Sequence, residues 1–376
     1  MIPYGRQSIS DEDIEAVVEV LRGNWLTTGP AIEAFESAIN VVSDTKHAVS
    51  VTSGTAALHV AYSALGITKD DEVITTPLTF VATAATAALL GARVRFADID
   101  PRTGNLDPSA VVEHLNDRTK AITSVDYAGT PTNVSDFRSL IGSSGISIVQ
   151  DAAHSIGSVN RGRPVGSEAD LTTFSFFPTK NLTTAEGGAV VTNNDGLAHM
   201  ARQFKNHGLV RQTERLRDPD VGPWHQEVHS FGLNYRLPDV LAALGISQIQ
   251  RLEEFKNKRR GIFEFYSEAL SDAEDITLPI RPADTDPVWH LYPIRVASSR
   301  RRAIFEGLRG QGIGVQVNYV PAYWHPVFQD LGYKRGMCPN AELFYAEEIS
   351  LPMYADLSES ELTRVADTVK KVMRNV

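Results

Sequence analysis

Cysteine is almost absent: Cys338 is the only one in 376 residues. No internal disulfide and no cysteine metal cluster can form, which fits a reducing cytosol. Long apolar runs are missing too. The longest weakly polar stretch, Phe80 to Leu90, contains Thr83 and Thr86 and falls short of the ~20 residues a bilayer-spanning helix needs. The opening Met1-Ile2-Pro3-Tyr4-Gly5-Arg6 has no charged region feeding an apolar core, so it does not read as a signal peptide. Positive charge is not in excess. The net charge of -10 argues for solubility and against a nucleic-acid surface. Basic clusters at Lys256 to Arg260, in a helical stretch, and at Arg300 to Arg302, in a connection, are expected to be solvated faces. There is no Gly-x-Gly-x-x-Gly fingerprint and no Walker motif, so neither a dinucleotide nor a nucleoside triphosphate is favoured. His225-Gln226-Glu227-Val228-His229 has the histidine spacing of a helical metal site. Its glutamate is misplaced, and Pro223 and Gly232 bracket it tightly, so it reads as loop. The expectation is a cytoplasmic protein with no membrane, nucleic-acid or metal partner.

Hydrophobic content of 42% and charged content of 22% are ordinary for a globular chain, and the length suggests two domains. Ser10-Asp11-Glu12-Asp13 reads as a capped helix start, followed by Ile14, Val17, Val18 and Leu21 at helical spacing. Short β-branched runs then alternate with Ala-rich stretches. Residues 48–52, 72–76, 94–97, 121–125 and 146–150 read as strands, and 56–65, 81–90 and 108–115 as helices. Such alternation implies an α/β fold with a large, mostly parallel sheet covered on both faces, and functional residues beyond the carboxyl ends of its strands. The pattern changes near Pro238. A helical segment from about 239 to 270, broken only at Gly245, precedes a strand at 290–296, a helix at 301–311 and a strand at 315–320. The boundary is placed near residue 245, giving a large domain at 1–245 and a smaller C-terminal α/β domain at 246–376.

Two strand ends carry the chemistry. The run from Thr172 to Thr179 delivers Lys180, and Ile146 to Gln150 delivers Asp151-Ala152-Ala153-His154. A lysine and a carboxylate so placed suit an enzyme that holds pyridoxal phosphate as an imine. The amine takes the aldehyde, and the carboxylate keeps the pyridine nitrogen protonated. A lone lysine is more often a solvated loop residue, and the aromatic approach and Gly187-Gly188 exit only reduce that advantage. Ser53-Gly54-Thr55 follows one strand and opens a helix, where free amides suit a phosphate, although such a turn is often only a cap.

Taken together, the segments Ser53 to Leu58, Thr76 to Thr83, Asp151 to His154, Phe174 to Lys180, Glu186 to Gly188 and Gly232 to Leu237 resemble the fold type I pyridoxal-phosphate enzymes that aminate keto-sugar nucleotides. The resemblance implies Lys180 as the imine-forming lysine, Asp151 as partner of the ring nitrogen and Phe80 as the stacking aromatic. It implies Gly54, Thr55 and Ser175 as phosphate ligands, and His154 beside the ring. Asn234 would reach the phosphate across a homodimer interface, so active sites would be shared. Phe80 as ordinary core and His154 as a satisfied buried histidine remain open.

Within that family the chain is similar to the transaminases of pseudaminic-acid biosynthesis, through Ile2 to Tyr4, Asn24 to Thr27, Val125 to Gly129, His290 to Pro293 and Gly314 to Tyr319. The similarity implies L-glutamate as donor and UDP-2-acetamido-2,6-dideoxy-β-L-arabino-hex-4-ulose as acceptor, with pyridoxamine phosphate as the intermediate form of the cofactor. Tyr4, Asn24, Trp25, Leu26, Thr27, Ala56, Ser175, Asn234, Arg236, Gln316, Val317, Asn318 and Tyr319 would line the sugar-nucleotide site. Asn318 stands where family members often carry histidine. Another UDP- or dTDP-keto-sugar, aminated at C4 or C3, is the alternative substrate. A silent homologue that binds the cofactor is a further one. Related dehydratases carry histidine in place of the lysine, and Lys180 counts against that activity.

Overall fold

The β-branched runs of the first half become five strands, and two more follow, in a computed structural model that describes residues 1–376. They are β1 (His47–Val51), β2 (Glu72–Thr75), β3 (Arg93–Phe96), β4 (Thr119–Val125), β5 (Ser147–Asp151), β6 (Leu171–Ser175) and β7 (Gly188–Thr192). All seven form one sheet in the order β1-β7-β6-β5-β4-β2-β3. Pairing is parallel from β6 through β5, β4 and β2 to β3, and only β7 runs against its neighbours. β2 and β7 are buried along their whole length. Helices cover both faces of such a sheet, so its strands read as continuous apolar runs rather than as alternation. The expected mostly parallel α/β sheet is present.

Local signals also hold at the helix ends. Ser10 and Asp13 form a reciprocal capping box on the helix Asp11–Arg22. The helix Gly54–Ala64 begins where β1 stops, and its Ala56, Ala57 and Ala61 are buried, small enough for close packing on the sheet.

A second core of 24 buried residues, among them Tyr266, Ile294, Ile304 and Val365, surrounds a three-stranded sheet. Its strands are Ile276–Thr277, Tyr292–Val296 and Glu348–Leu351, all antiparallel. Ile2 joins this core from the N-terminus, while Tyr323, Phe328 and Phe344 pack into the core of the large sheet. The chain therefore passes between the two cores more than once.

Four expectations need correction. The long helical segment is two helices, Asp239–Gln250 and Leu252–Ala269, parted at Arg251 rather than Gly245. Gly245 lies inside the first helix, where a Cβ would come within 2.6 Å of the Phe35 ring, so it serves close packing and not a break. Residues 315–320 form no strand. Gln316 bridges Ser350, but the next inward amide, that of Asn318, is taken by the Glu348 carboxylate at 2.7 Å, and the ladder ends there. The cluster from 256 to 260 is not a solvated face: Lys256 and Arg259 are buried. Lys256 donates to the Gly157 carbonyl and pairs with Asp286, while Arg259 donates to the Trp289 and Met353 carbonyls. Finally, Arg300 to Arg302 belong to a helix, Ser298–Gly310, and not to a connection.

Candidate active site

A cavity of about 560 Å³ opens beyond the carboxyl ends of β1, β5 and β6. Its floor begins at Ser53, which caps the helix Gly54–Ala64 by accepting the Ala56 N–H at 3.1 Å. The first turn of a helix leaves N–H groups without intrahelical acceptors, here those of Gly54 and Thr55. Backbone packing dictates the glycine. A Cβ on Gly54 would lie 2.8 Å from Cβ and 2.9 Å from Oγ of Ser175 at the end of β6. A Cβ on Gly188 would lie 2.4 Å from the Ser53 carbonyl, which explains the small residues after Lys180. Two amides and the hydroxyls of Thr55 and Ser175 thus meet at one end of the cavity, a donor set suited to a phosphate.

Asp151 ends β5, 5% exposed. Thr83 Oγ1 donates to one carboxylate oxygen at 2.6 Å and the Ala153 N–H to the other at 3.2 Å. Burial pushes its carboxyl up, and the Thr83 hydroxyl, the Ala153 amide and the Lys180 charge pull it back. Lys180 sits in the turn after β6, half-buried, its N–H bonded to the Phe177 carbonyl at 2.9 Å. The neighbouring Asn181 is buried and donates to the carbonyls of His154 and Val288, which pins the turn. Burial lowers the Lys180 amine to about 8, against the opposing pull of Asp151. Burial thus shifts the amine toward the neutral form that a nucleophile or base needs.

His154 packs against His290 with ring centroids 4.2 Å apart and the rings tilted by 36°, and Tyr319 Oη lies 3.2 Å from its Nε2. Both imidazoles are held well below their usual range, first by burial and then by neighbouring positive charge. Nδ1 of each is buried without a partner. Phe80 presents a 59% exposed ring to the same cavity. Pyridoxal phosphate asks for an anion cradle, an apolar face, a buried carboxylate and an amine, and the residues present fit all four.

The cavity also gathers Tyr4, Gln316, Asn318 and Tyr319. Val317 is not in its lining. Ala56 is buried in its helix instead. Asn24, Trp25, Leu26 and Thr27 lie exposed, with Thr27 bridged to Pro238. Asn234 is exposed and bridges Asn206, whose side chain accepts from the Arg236 guanidinium at 2.6 Å. A single chain does not bring these residues to Lys180. Sequence reasoning passed over Thr83 and His290. Both lie inside segments quoted for the resemblance, but only the fold shows that one bonds Asp151 and the other backs His154.

Comparison with known proteins agrees with this geometry. The model of the DegT/DnrJ/EryC1/StrS aminotransferase family matches residues 7–370. A Campylobacter jejuni protein, UDP-4-amino-4,6-dideoxy-N-acetyl-beta-L-altrosamine transaminase, is 37% identical over 384 residues, covering 100% of this chain and 98% of its own. The structure of Helicobacter pylori PseC, an aminotransferase involved in the biosynthesis of pseudoaminic acid, superposes with a TM-score of 0.94 at 34% identity, covering 100% of both chains. Streptococcus pneumoniae Spr1654 in its PMP form also reaches 0.94, at 27% identity and with 100% of both chains covered, and the same protein is known in a PLP form. This chain belongs to the DegT/DnrJ/EryC1/StrS aminotransferase family and is a pyridoxal-phosphate-dependent sugar transaminase.

Proposed function

We propose that the enzyme moves an amino group from L-glutamate to C4 of UDP-2-acetamido-2,6-dideoxy-β-L-arabino-hex-4-ulose, a step of pseudaminic-acid biosynthesis. The observation that carries this reading is the 37% identity, along the whole chain, to the Campylobacter jejuni transaminase of that product. When bound, the cofactor supplies an aldehyde for the amine and a ring that draws in electrons. The chain's own groups do the rest. Asp151, buried and held by the Thr83 hydroxyl and the Ala153 amide, would keep the ring nitrogen in its protonated state. Lys180 removes a proton from the donor's carbon in one half-reaction and returns one to C4 of the sugar in the other, since a single amine near pKa 8 suits both directions. Phe80 covers an apolar face, and the Gly54 and Thr55 amides with the Ser175 hydroxyl take the phosphate. Tyr4, Gln316, Asn318 and Tyr319 form the wall against which the sugar is oriented.

A homodimer with shared sites belongs to this reading. The lining of the cavity offers Lys180 and two neutral histidines as its only basic groups, whereas glutamate and a UDP-sugar are both anionic. Asn234, Arg236 and the Asn24 to Thr27 segment, all outside the cavity of their own chain, would complete a partner's site. Subunit mixing tests this directly. Asn234→Ala and Lys180→Ala subunits should each have little activity, and their heterodimer should regain part of it in the one site that carries neither lesion. No recovery, with exchange confirmed by mass, places Asn234 within its own chain's site.

The substrate is tested by incubating purified enzyme and L-glutamate with a panel of UDP- and dTDP-linked 4-keto and 3-keto sugars. Release of 2-oxoglutarate and product stereochemistry by NMR are the readouts. The UDP-linked L-arabino-4-keto sugar should turn over fastest, and preference for another member of the panel overturns the assignment.

A further inference from the structure

Glu348 is fully buried on the strand Glu348–Leu351 and plays no part in the chemistry above. It forms no ion pair. Arg295, its register partner, is engaged by Glu347 at 3.5 Å. One Glu348 oxygen accepts the Asn318 backbone N–H at 2.7 Å, and the other meets the Ser350 hydroxyl. Ser350 Oγ in turn meets the Asn318 side-chain amide at 3.1 Å, and that amide meets the Tyr4 hydroxyl at 2.7 Å. Asn318 and Tyr4 line the cavity, whereas Glu348 and Ser350 stand behind them.

Counting protons along this chain gives two self-consistent arrangements. A serine hydroxyl has one proton, and an ionised carboxylate can only accept. With Glu348 ionised, Ser350 gives its proton to Glu348 and can only accept from Asn318. The amide must then turn its NH₂ inward, with one N–H on Ser350 and one on Tyr4. Its carbonyl oxygen is left for the cavity, and the Tyr4 hydroxyl keeps a proton to donate. With Glu348 protonated the direction reverses. Glu348 donates to Ser350, Ser350 and Tyr4 donate to the amide oxygen, and the NH₂ turns to the cavity. One buried proton exchanges an acceptor for a donor on the wall.

We propose that Glu348 is a positioning residue which, through Ser350, sets the hydrogen-bond polarity that Asn318 and Tyr4 show to the sugar, and that the substrate is matched to the ionised form, offering Asn318 a hydroxyl or acetamido N–H. This rests on the reading above that this wall contacts the sugar. The exchange falls within reach of ordinary pH. Burial lifts the Glu348 carboxyl to about 8, with Ser350, the Asn318 amide and the Arg301 charge opposing. The other titratable groups facing it, Tyr4, Tyr127 and Tyr319, are held neutral by burial well above that range.

The test measures KM for whichever keto-sugar nucleotide the enzyme accepts, across pH values on both sides of about 8. In the wild type KM should fall about tenfold as pH rises through that value, the worth of one correctly directed hydrogen bond. In Glu348→Gln the side-chain carbonyl keeps the Asn318 N–H and its NH₂ donates to Ser350, which locks the reversed polarity. KM should stay high and flat. Ser350→Ala, a smaller change, cuts the relay and should also abolish the step in KM. The reaction with L-glutamate alone, followed by cofactor absorbance, should be unaffected in both, as should the pH dependence of kcat that Lys180 imposes. A step in KM that survives in both variants, or an equal loss in the glutamate reaction, overturns the proposal. Any accepted keto-sugar serves as probe, so failure of the pseudaminic assignment leaves this test intact.

Discussion

The two walls of the cavity are built in different ways. The cofactor wall is made where consecutive elements of a parallel sheet end, with Asp151 on β5, Ser175 on β6 and the Ser53-Gly54-Thr55 turn after β1. Each residue there sits at a position that strand and helix geometry specify. The facing wall is made of irregular chain, Tyr4 and Gln316 to Tyr319, held in place by side-chain hydrogen bonds to a strand of the smaller sheet. Regular structure positions the groups proposed to hold the cofactor, and a polar relay positions the wall proposed to face the sugar. Loops on a rigid scaffold vary without disturbing the scaffold, which is why specificity can sit there.

The sharpest way to test this division is at its centre. Lys180→Ala should retain the fold and bind the cofactor without a covalent link, with turnover lost. Borohydride reduction of the wild type followed by peptide mapping should label Lys180 alone, and a label elsewhere sinks the assignment. Next in size is Asp151→Asn, which should lower the rate of the glutamate reaction by on the order of a hundredfold or more, because a neutral amide cannot stabilise a protonated ring nitrogen. Near-normal single-turnover rates with glutamate would show that Asp151 has another role.

Smaller effects probe the supports of the cofactor wall. Thr83→Val keeps the shape but removes the 2.6 Å hydrogen bond to Asp151. The glutamate reaction should slow about tenfold, the worth of one hydrogen bond to a charged group, with KM for the keto-sugar unchanged. A loss confined to that KM would place Thr83 on the substrate wall. Gly54→Ala puts a methyl 2.8 Å from Ser175 Cβ, so apoprotein titrated with cofactor should show severalfold weaker affinity, with a melting temperature lowered by a few degrees from the overpacking. Unchanged affinity would separate the Gly54 turn from the phosphate.

Legibility follows the same line. Strands β1 to β5 were readable within two residues because each is a short β-branched run bounded by turns, a purely local pattern. The capping box at Ser10 and Asp13 was readable because its partners are three residues apart. Asp151 was readable as a strand-end residue, whereas the strand before Lys180 stops at Ser175 and leaves the lysine in the turn beyond it, and only the resemblance turned either position into a role. The break between the two long helices was misplaced because a glycine signals flexibility in sequence, whereas Gly245 packs against Phe35, 210 positions away along the chain. The basic cluster at 256 to 260 was misread for the same reason. Its charges are paid for by backbone carbonyls and Asp286, none of which the local sequence announces.

By itself the sequence determined five of the seven strands of the sheet, the strand that delivers Asp151 and, through its motifs, the kind of cofactor that Asp151 and Lys180 serve. The tertiary structure alone decided which groups meet. Thr83 reaches Asp151 across 68 positions, and Glu348 reaches back 30 to the Asn318 amide, ending a strand that the pattern at 315–320 predicts. Local conformation is set by neighbours within a turn or two of the chain, whose interactions leave a periodic trace. A hydrogen bond between distant segments depends on how whole elements pack, and it leaves no period to read.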